Sequence, residues 1–382
     1  MKNVALLINS MESGGAERVV SLLANEMHDN ENNIHVVTLQ KGNVYNLSNG
    51  INQVTLGRIT VNNGILKVAF LLYYAYKLRI FCAQNDIHVV KSHMYRPNYI
   101  NVLSKFLGNK SKCILVQHSH ASNSYSSRGV VGYFSKTLIS IFYRKADGVV
   151  TVSKLMREDL IRNFSIEPHK VKYIGNPINR DLITAMSKMP IETPYSFSKY
   201  TFVTTGSFIE RKNHKLIIEA VKSIGRSDYH LLIMGQGPLK QKYIDMIQLY
   251  NLDHMITILD FNNNPFFIMR QSNCFINSSN AEGLPMVMLE ALACGIPVIS
   301  TDCLSGPREI VAPNTNYQEM LTTDIEETPY GILTPVNSID HLAKAMEVMI
   351  SSNSFRRRQK IFSDRVKEYL LPNIVHEYQK LL

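Results

Sequence analysis

Apolar runs of strand length alternate with helix-length segments along this chain, stop near residue 175, and begin again at residue 201. The first series of runs covers 4–8, 34–39, 54–56, 88–91, 113–118 and 148–152, with helical stretches at 16–27, 65–82, 130–145 and 154–163. The second covers 201–205, 230–234, 256–259, 274–277 and 298–300, with helical stretches at 213–224 and 239–249. Strands alternating with helices join through right-handed crossovers and lie parallel in one sheet. At 382 residues the chain exceeds one ordinary core. The expected fold class is α/β, with two doubly wound domains at 1–176 and 201–364 and a loop-like linker at 177–200 that carries Pro177, Pro190 and Pro194. Such sheets bind ligands beyond the carboxyl ends of their strands. The cleft between two facing domains is the expected site.

Several classes of function are disfavoured. Cys82, Cys113, Cys274, Cys294 and Cys303 are scattered, odd in number and without C-x-x-C spacing, which argues for a reducing cytosol and against a disulfide framework or a zinc site. Residue 3 already enters a strand pattern with no signal-peptide layout, and no uncharged apolar run reaches the roughly 18 residues that span a bilayer. Lys plus Arg exceed Asp plus Glu by 41 − 31 = 10, so anionic partners are favoured: phosphates, anionic lipid head groups or nucleic acid. Nucleic acid is the weakest of these. No basic run is interleaved with aromatics, and Arg356-Arg357-Arg358 reads as a solvated helical face. Residues 67–79 and 130–145 mix aromatic and basic side chains, and each is either a segment for an anionic membrane surface or a helix flanking the first sheet.

The most informative local stretch is Glu282-Gly-Leu-Pro-Met-Val-Met-Leu-Glu290. From Pro285 to Cys294 the only charged side chain is Glu290, and a lone carboxylate in so apolar a helix needs donors. Pro285 suits the first helical position. Glu282 and Gly283 then fall in the turn before it, with free N–H groups and the positive end of the helix dipole beside them. Eight residues at about 1.5 Å each span roughly 12 Å, too long for a glycosidase pair at about 5–9.5 Å. That span suits a nucleotide sugar with one carboxylate near each end. An ordinary buried helix with a solvated Glu is the other reading.

Further candidates lie at strand ends. Gly14 and Gly15, in the loop opening the first helix, let backbone approach an anion, or simply make a tight turn. Gly206-Ser-Phe-Ile-Glu-Arg-Lys-Asn213 places Arg211 and Lys212 just before a helix, where a diphosphate would meet charge-assisted donors; ordinary surface charge is the alternative. Met234-Gly-Gln-Gly-Pro238 begins like a dinucleotide fingerprint, but Lys240 occupies the third glycine position, which disfavours an NAD-dependent oxidoreductase. Ser305-Gly-Pro-Arg-Glu-Ile310 again sets Gly and Pro at a helix start. His118 or His120 could act on a sugar hydroxyl, or be structural. Asp-x-Asp is absent, so a basic clamp must take the place of a metal on any diphosphate.

In this order, these motifs resemble the family-4 retaining glycosyltransferases, whose architecture of two Rossmann-like domains is called GT-B. The resemblance runs through nearly the whole chain, and the frame Glu282-Gly-Leu-Pro…Glu290-Ala-Leu-Ala-Cys-Gly-Ile-Pro297 is its most specific part. It implies that Glu282 contacts the donor sugar, Glu290 binds the nucleotide ribose, and Arg211 and Lys212 clamp the diphosphate. Gly206 and the backbone of Gly283 and Leu284 face the donor, His118 sits near the transferred sugar, and Gly14 and Gly15 reach towards donor phosphate and acceptor. The closing stretch, 365–382, is expected to pack back on the first domain. Many members carry Arg after the glycine equivalent to Gly206, where this chain has Ser207, so either Arg211 and Lys212 carry more of the phosphate charge or Arg308 helps to carry it. The implied chemistry is metal-free, cofactor-free transfer with retention from a UDP-sugar, galactose or N-acetylgalactosamine being favoured. The implied acceptor is a polyprenyl-diphosphate-linked saccharide, met by an enzyme peripheral to the cytoplasmic membrane face. Replacing Glu282 or Lys212 with Ala is expected to abolish transfer and leave the fold intact. A GT-B protein that only binds sugar nucleotide is the alternative from another class.

Overall fold

The first series of apolar runs builds a fully parallel seven-stranded sheet in a computed structural model, which describes residues 2–12, 14–29, 32–42, 44–57, 64–125, 129–262, 264–352 and 359–382. Its strands are β1 (Asn3–Ile8), β2 (Asn33–Thr38), β3 (Asn52–Thr55), β4 (Val89–His93), β5 (Lys112–Gln117), β6 (Gly148–Thr151) and β7 (Val171–Tyr173). They lie in the order β3-β2-β1-β4-β5-β6-β7. The crossovers carry α1 (Gly15–Asp29), α2 (Gly64–Gln84), α3 (Tyr95–Phe106), α4 (Ala121–Tyr125), α5 (Gly129–Arg144) and α6 (Lys154–Phe164). A parallel sheet covered on both faces requires unbroken apolar strands, and β1 is buried from Val4 to Ile8. Leu7, Val37, Tyr74, Leu78 and Ile100 form one core cluster, and Leu115, Ile139, Tyr143, Leu160 and Phe164 another. Both α2 and α5 therefore flank the sheet, while Leu72, Tyr73 and Tyr76 on α2 and Leu138 and Ile141 on α5 remain exposed.

The second series repeats the plan. Strands β8 (Tyr200–Thr205), β9 (Tyr229–Met234), β10 (Ile256–Leu259), β11 (Cys274–Asn277), β12 (Val298–Thr301), β13 (Glu326–Thr328) and β14 (Gly331–Thr334) lie in the order β10-β9-β8-β11-β12-β14-β13. Among the described residues only the β13–β14 pair is antiparallel. The helices are α7 (Arg180–Met186), α8 (His214–Ile224), α9 (Lys240–Leu249), α10 (Phe266–Gln271), α11 (Met286–Ala293), α12 (Pro307–Val311), α13 (Ile339–Ser351) and α14 (Gln359–Arg365). The Arg356-Arg357-Arg358 cluster lies outside the described residues.

By contacts the chain divides into Met1–Pro177 with Leu371–Leu382, and Ile178–Leu370. The stretch expected as a linker thus belongs to the second unit. Its helix α7 packs on α10 and α11, Asn264 Nδ2 donates to Met186 O at 2.9 Å, and Tyr195 stacks on His230 with ring centroids 4.2 Å apart. Prolines interrupt regular structure there without preventing burial of Ile178 and Ile183. Residues 365–370 stay with the same unit, where Ile178 N donates to Tyr369 O at 2.8 Å.

The return to the first unit is α15 (Leu371–Gln379) and the residues after it. Three lysines meet its carbonyl end: Lys91 Nζ donates to Tyr378 O (2.9 Å), Lys112 Nζ to Leu381 O (2.7 Å) and Lys2 Nζ to Leu382 O (2.6 Å). Cations there satisfy orphan carbonyls and oppose the helix dipole. Lys91 is fully buried, and burial, with the charge of Lys112, pushes its ammonium down to about 7.

Candidate functional site

In both sheets the strand order reverses between the first strand and the fourth, so β1 lies beside β4 and β8 beside β11. Loops leaving the carboxyl ends of such neighbours diverge to opposite faces and open the crevice where these sheets bind ligands. In the second unit the loop after β8 carries Arg211 and Lys212 on one 3-10 turn, Glu210–Lys212, and the loop after β11 carries Glu282. The two loops are tied by backbone and side-chain bonds. Asn280 N donates to Arg211 O (2.8 Å), Ser278 Oγ to Lys212 O (2.9 Å), Arg211 Nη1 to Ala281 O (3.2 Å) and Asn213 Nδ2 to Asn280 Oδ1 (3.1 Å).

That lacing brings together groups 70 residues apart in sequence. Lys212 Nζ is 2.6 Å from Glu282 Oε1, Arg211 Nη1 is 3.6 Å from Glu282 Oε2, and Ser279 Oγ donates to Oε1 at 2.6 Å. Glu282 is only 6% exposed, whereas the Arg211 side chain is 49% exposed. Burial alone would push the Glu282 carboxyl up; Lys212, then Arg211 and the Ser279 hydroxyl, outweigh it and hold the group below the usual carboxylate range. Two cations and one carboxylate leave a formal charge of 2 − 1 = +1 in this cluster, so it remains competent to attract an anion.

The loop geometry departs from the sequence reading in two respects. Pro285 is the N-cap, with ψ 107°, and α11 begins at Met286, because an extended residue is needed to turn out of the loop. The Glu282 N–H is not free: it donates to Leu304 O at 2.9 Å, and Ser305 N donates back to Glu282 O at 3.1 Å. Gly306 permits this contact, since a Cβ there would lie 2.5 Å from Gly283 O. Gly283 and Leu284 stay at the helix entrance, Leu284 buried. Glu290 is 2% exposed on α11, where its charge adds to burial in raising the Cys294 thiol to about 12.

Gly206 and Ser207 run beside the Met234-Gly-Gln-Gly-Pro238 turn. Gly206 N donates to Met234 O (3.0 Å) and Phe208 N to Gln236 O (2.8 Å). A Cβ on Gly235 would sit 2.0 Å from Gly206 O, and one on Gly237 2.7 Å from both Phe208 N and O. These glycines serve loop-to-loop packing, which accounts for a fingerprint that starts and does not finish.

Arg308 does not join the Arg211–Lys212 cluster. It is 7% exposed, and its Nη2 binds Asp302 Oδ2 (2.6 Å), its Nη1 Glu326 Oε2 (2.9 Å) and Thr315 Oγ1 (2.9 Å), with Nε 3.1 Å from Asp302 Oδ2. Asp302 stands six residues before Arg308, and Glu326 comes from β13, 18 residues beyond it, so the sequence does not show that both converge on this guanidinium.

In the first unit the Gly14 peptide is held by Tyr45, whose hydroxyl lies 3.3 Å from Gly14 N and donates to Gly14 O at 3.0 Å. Glu17 stands over it in the first turn of α1, its carboxyl raised mainly by burial, and so partly occupies the dipole end expected to draw an outside anion. A Cβ on Gly15 would meet nothing within 4 Å. His118 follows β5, and His93 ends β4 beside it; His93 Nδ1 and His118 Nε2 are 2.9 Å apart. Burial pushes His118 down to about 4 and, with neighbouring His118 and Lys91, holds His93 well below its usual value. His120 instead faces Asp159 (Nδ1–Oδ2 3.4 Å) and accepts from Asn123 N at 3.3 Å, a local structural role.

Sequence reading missed His93, Ser279 and the Asn213–Asn280 tie. A polar run, Asn277-Ser-Ser-Asn280, directly after a strand was the available signal for the last two, and a histidine two residues beyond the 88–91 run for the first.

Comparison with known proteins covers both units. A profile described as Glycosyltransferase Family 4 matches residues 13–182, and one described as Glycosyl transferases group 1 matches residues 194–365. A Campylobacter jejuni protein, N-acetylgalactosamine-N,N'-diacetylbacillosaminyl-diphospho-undecaprenol 4-alpha-N-acetylgalactosaminyltransferase, is 30% identical over 96% of this chain and 97% of its own length. Sucrose-phosphate synthase from Thermosynechococcus elongatus superposes with a TM-score of 0.79 at 16% identity, covering 100% of this chain and 98% of the other. Anabaena HepE in complex with UDP-glucose superposes with a TM-score of 0.73 at 15% identity, covering 100% of both.

Proposed function

The chain belongs to glycosyltransferase family 4, and from that premise we propose that it moves a hexose or N-acetylhexosamine from a UDP-sugar, with retention, to a polyprenyl-diphosphate-linked saccharide. That it is a glycosyltransferase of GT-B fold follows from the family; donor, acceptor and stereochemistry are our reading. The observation that carries this reading is the Lys212–Glu282–Arg211 cluster at the β8/β11 reversal, cationic overall and built around a carboxylate. UDP-N-acetylgalactosamine or UDP-galactose is the favoured donor, supported by the name of the Campylobacter relative.

In this mechanism the bond from the sugar's anomeric carbon to the diphosphate breaks as an acceptor hydroxyl approaches the same face. The acceptor's proton passes to an oxygen of the departing diphosphate, so no protein base is needed. Arg211 and Lys212 stabilise the charge that develops on the leaving group. Glu282 hydrogen-bonds the donor sugar, Glu290 the ribose, and the backbone of Gly206, Gly283 and Leu284 lines the donor. His118 acts on the sugar side, and Gly14 and Gly15 on the phosphate and acceptor side. We read the reaction as metal-independent, because the chain has no Asp-x-Asp and carries a basic pair for the diphosphate.

A panel of UDP- and GDP-sugars, assayed with a lipid-linked acceptor and with product anomers read by NMR, tests these points together. The expected result is transfer from one UDP-sugar, α-product from an α-donor, and a rate unchanged by EDTA. An inverted product overturns retention, and loss of activity in EDTA restored by Mg2+ overturns metal independence.

We further place the enzyme on the inner face of the cytoplasmic membrane. No helix among the described residues is long and apolar enough to cross a membrane. The exposed Leu72, Tyr73 and Tyr76 of α2, the exposed Leu138 and Ile141 of α5 and the net charge of +10 suit a surface of anionic lipid. Co-sedimentation with phosphatidylglycerol vesicles is expected at low salt and should fall as salt rises. No pelleting at low salt removes the proposal.

A further inference from the structure

His93 does not belong to any motif singled out in the sequence, yet it is fully buried at the end of β4 and touches the one first-unit side chain proposed to act on the sugar. Strands β4 and β5 pair in parallel with His93 opposite Val116, and His118 follows two residues beyond. The two rings lie within 28° of one plane with centroids 5.2 Å apart, so an N–H in one ring plane points along the other's lone pair. His93 Nδ1 and His118 Nε2 are 2.9 Å apart, and one of them must carry the hydrogen.

The other ring nitrogen of His93 decides which. His93 Nε2 is buried and has no hydrogen-bond partner among the described residues. A hydrogen there would be an orphaned buried N–H, which folded proteins avoid more strictly than an unused acceptor lone pair. The single hydrogen of a neutral His93 therefore sits on Nδ1. His118 must then accept at Nε2 and keep its own hydrogen on Nδ1.

We propose that His93 is a positioning residue: by donating Nδ1–H to His118 Nε2 it fixes the ring and the tautomer of His118. His118 is thereby a hydrogen-bond donor to an oxygen of the glycosyl substrate and not a base that removes a proton from it. This deepens the function proposed above and rests on the role given there to His118. It also suits two adjacent imidazoles that burial holds below their usual values: a neutral pair transmits orientation without adding a cation beside the sugar.

Long-range 1H–15N correlation spectra of histidine-labelled protein read the tautomers directly, with His118→Asn and His93→Asn used for assignment. The wild type should show His118 protonated at Nδ1. In His93→Phe, which keeps a ring but offers no donor, His118 should shift towards the Nε2–H form, and kcat should fall by at least about tenfold with the donor KM little changed. In His93→Asn the amide nitrogen occupies the place of Nδ1 and can still donate, so the tautomer and part of the rate should return. A His118 already protonated at Nε2 in the wild type, or unmoved in His93→Phe, overturns the proposal. If His118→Ala transfers sugar at the wild-type rate, the role of His118 in the reaction falls, while the spectra still decide whether His93 sets its tautomer.

Discussion

Lys212→Ala is expected to lower transfer by at least about a thousandfold and to destabilise the second unit as well, whereas Glu282→Ala should abolish transfer and leave stability close to wild type. The first loss is that of a charge directed at the leaving group. The second arises because Glu282 is 6% exposed and keeps only Ser279 at 2.6 Å and the half-exposed Arg211 at 3.6 Å once Lys212 is gone. An uncompensated buried partner of this kind costs about 3 kcal/mol, the low end of the range because two partners remain. For a unit of this size that corresponds to a fall in Tm of about 6–12 °C. Sequence reasoning expected both variants to keep their fold; the buried pair separates them. Adding Glu282→Gln to Lys212→Ala should restore most of the Tm and none of the activity, which scanning calorimetry and the transfer assay read independently. Turnover of Lys212→Ala within tenfold of wild type would sink the assignment of the clamp.

The same pair has a pH signature. The Glu282 carboxyl is held below its unfolded value, so its contribution is fully present above the unfolded pKa of about 4.3 and is lost as the pH falls through the lower folded value. Wild type should therefore lose more stability than Glu282→Gln on acidification below about pH 4.

Arg308→Ala is the second large effect, and it should appear in stability with no change in the affinity for donor. Its guanidinium satisfies Asp302, which is 1% exposed, and reaches Glu326 and Thr315. With Arg308 removed, Asp302 keeps one donor, the Leu321 N–H at 2.8 Å, and about 3–5 kcal/mol should be lost. The expected fall in Tm is about 10 °C. Arg308→Lys should not recover it, since an ammonium cannot reproduce the planar fork that serves three acceptors. Calorimetry beside a titration of UDP separates the two roles. An unchanged Tm with weakened UDP binding would return Arg308 to the phosphate clamp.

Much of the architecture was legible because buried parallel strands must be continuously apolar: β1, β5, β9 and β11 announce themselves as short runs of Val, Ile, Leu and Phe. Strand β7, with three residues, and the β13–β14 pair at the sheet edge were missed, since so few residues leave no periodicity to read. The stretch at 177–200 misled because proline marks where regular structure stops, which says nothing about what the side chains pack on. Arg308 misled for a similar reason. Its place after Gly306 and Pro307 predicts a helix start, while its partners come from β13 and from the loop after β12.

By itself the sequence determined two largely parallel sheets and several of the helices between their strands, because those depend on local periodicity and on Gly and Pro at strand ends. Which charges meet was decided only by the tertiary structure. Lys212 reaches Glu282 because β8 and β11 are neighbours where the strand order reverses, and His93 reaches His118 because β4 pairs with β5. Neighbourhood in a sheet is set by crossovers over tens of residues, and no local pattern records where they return.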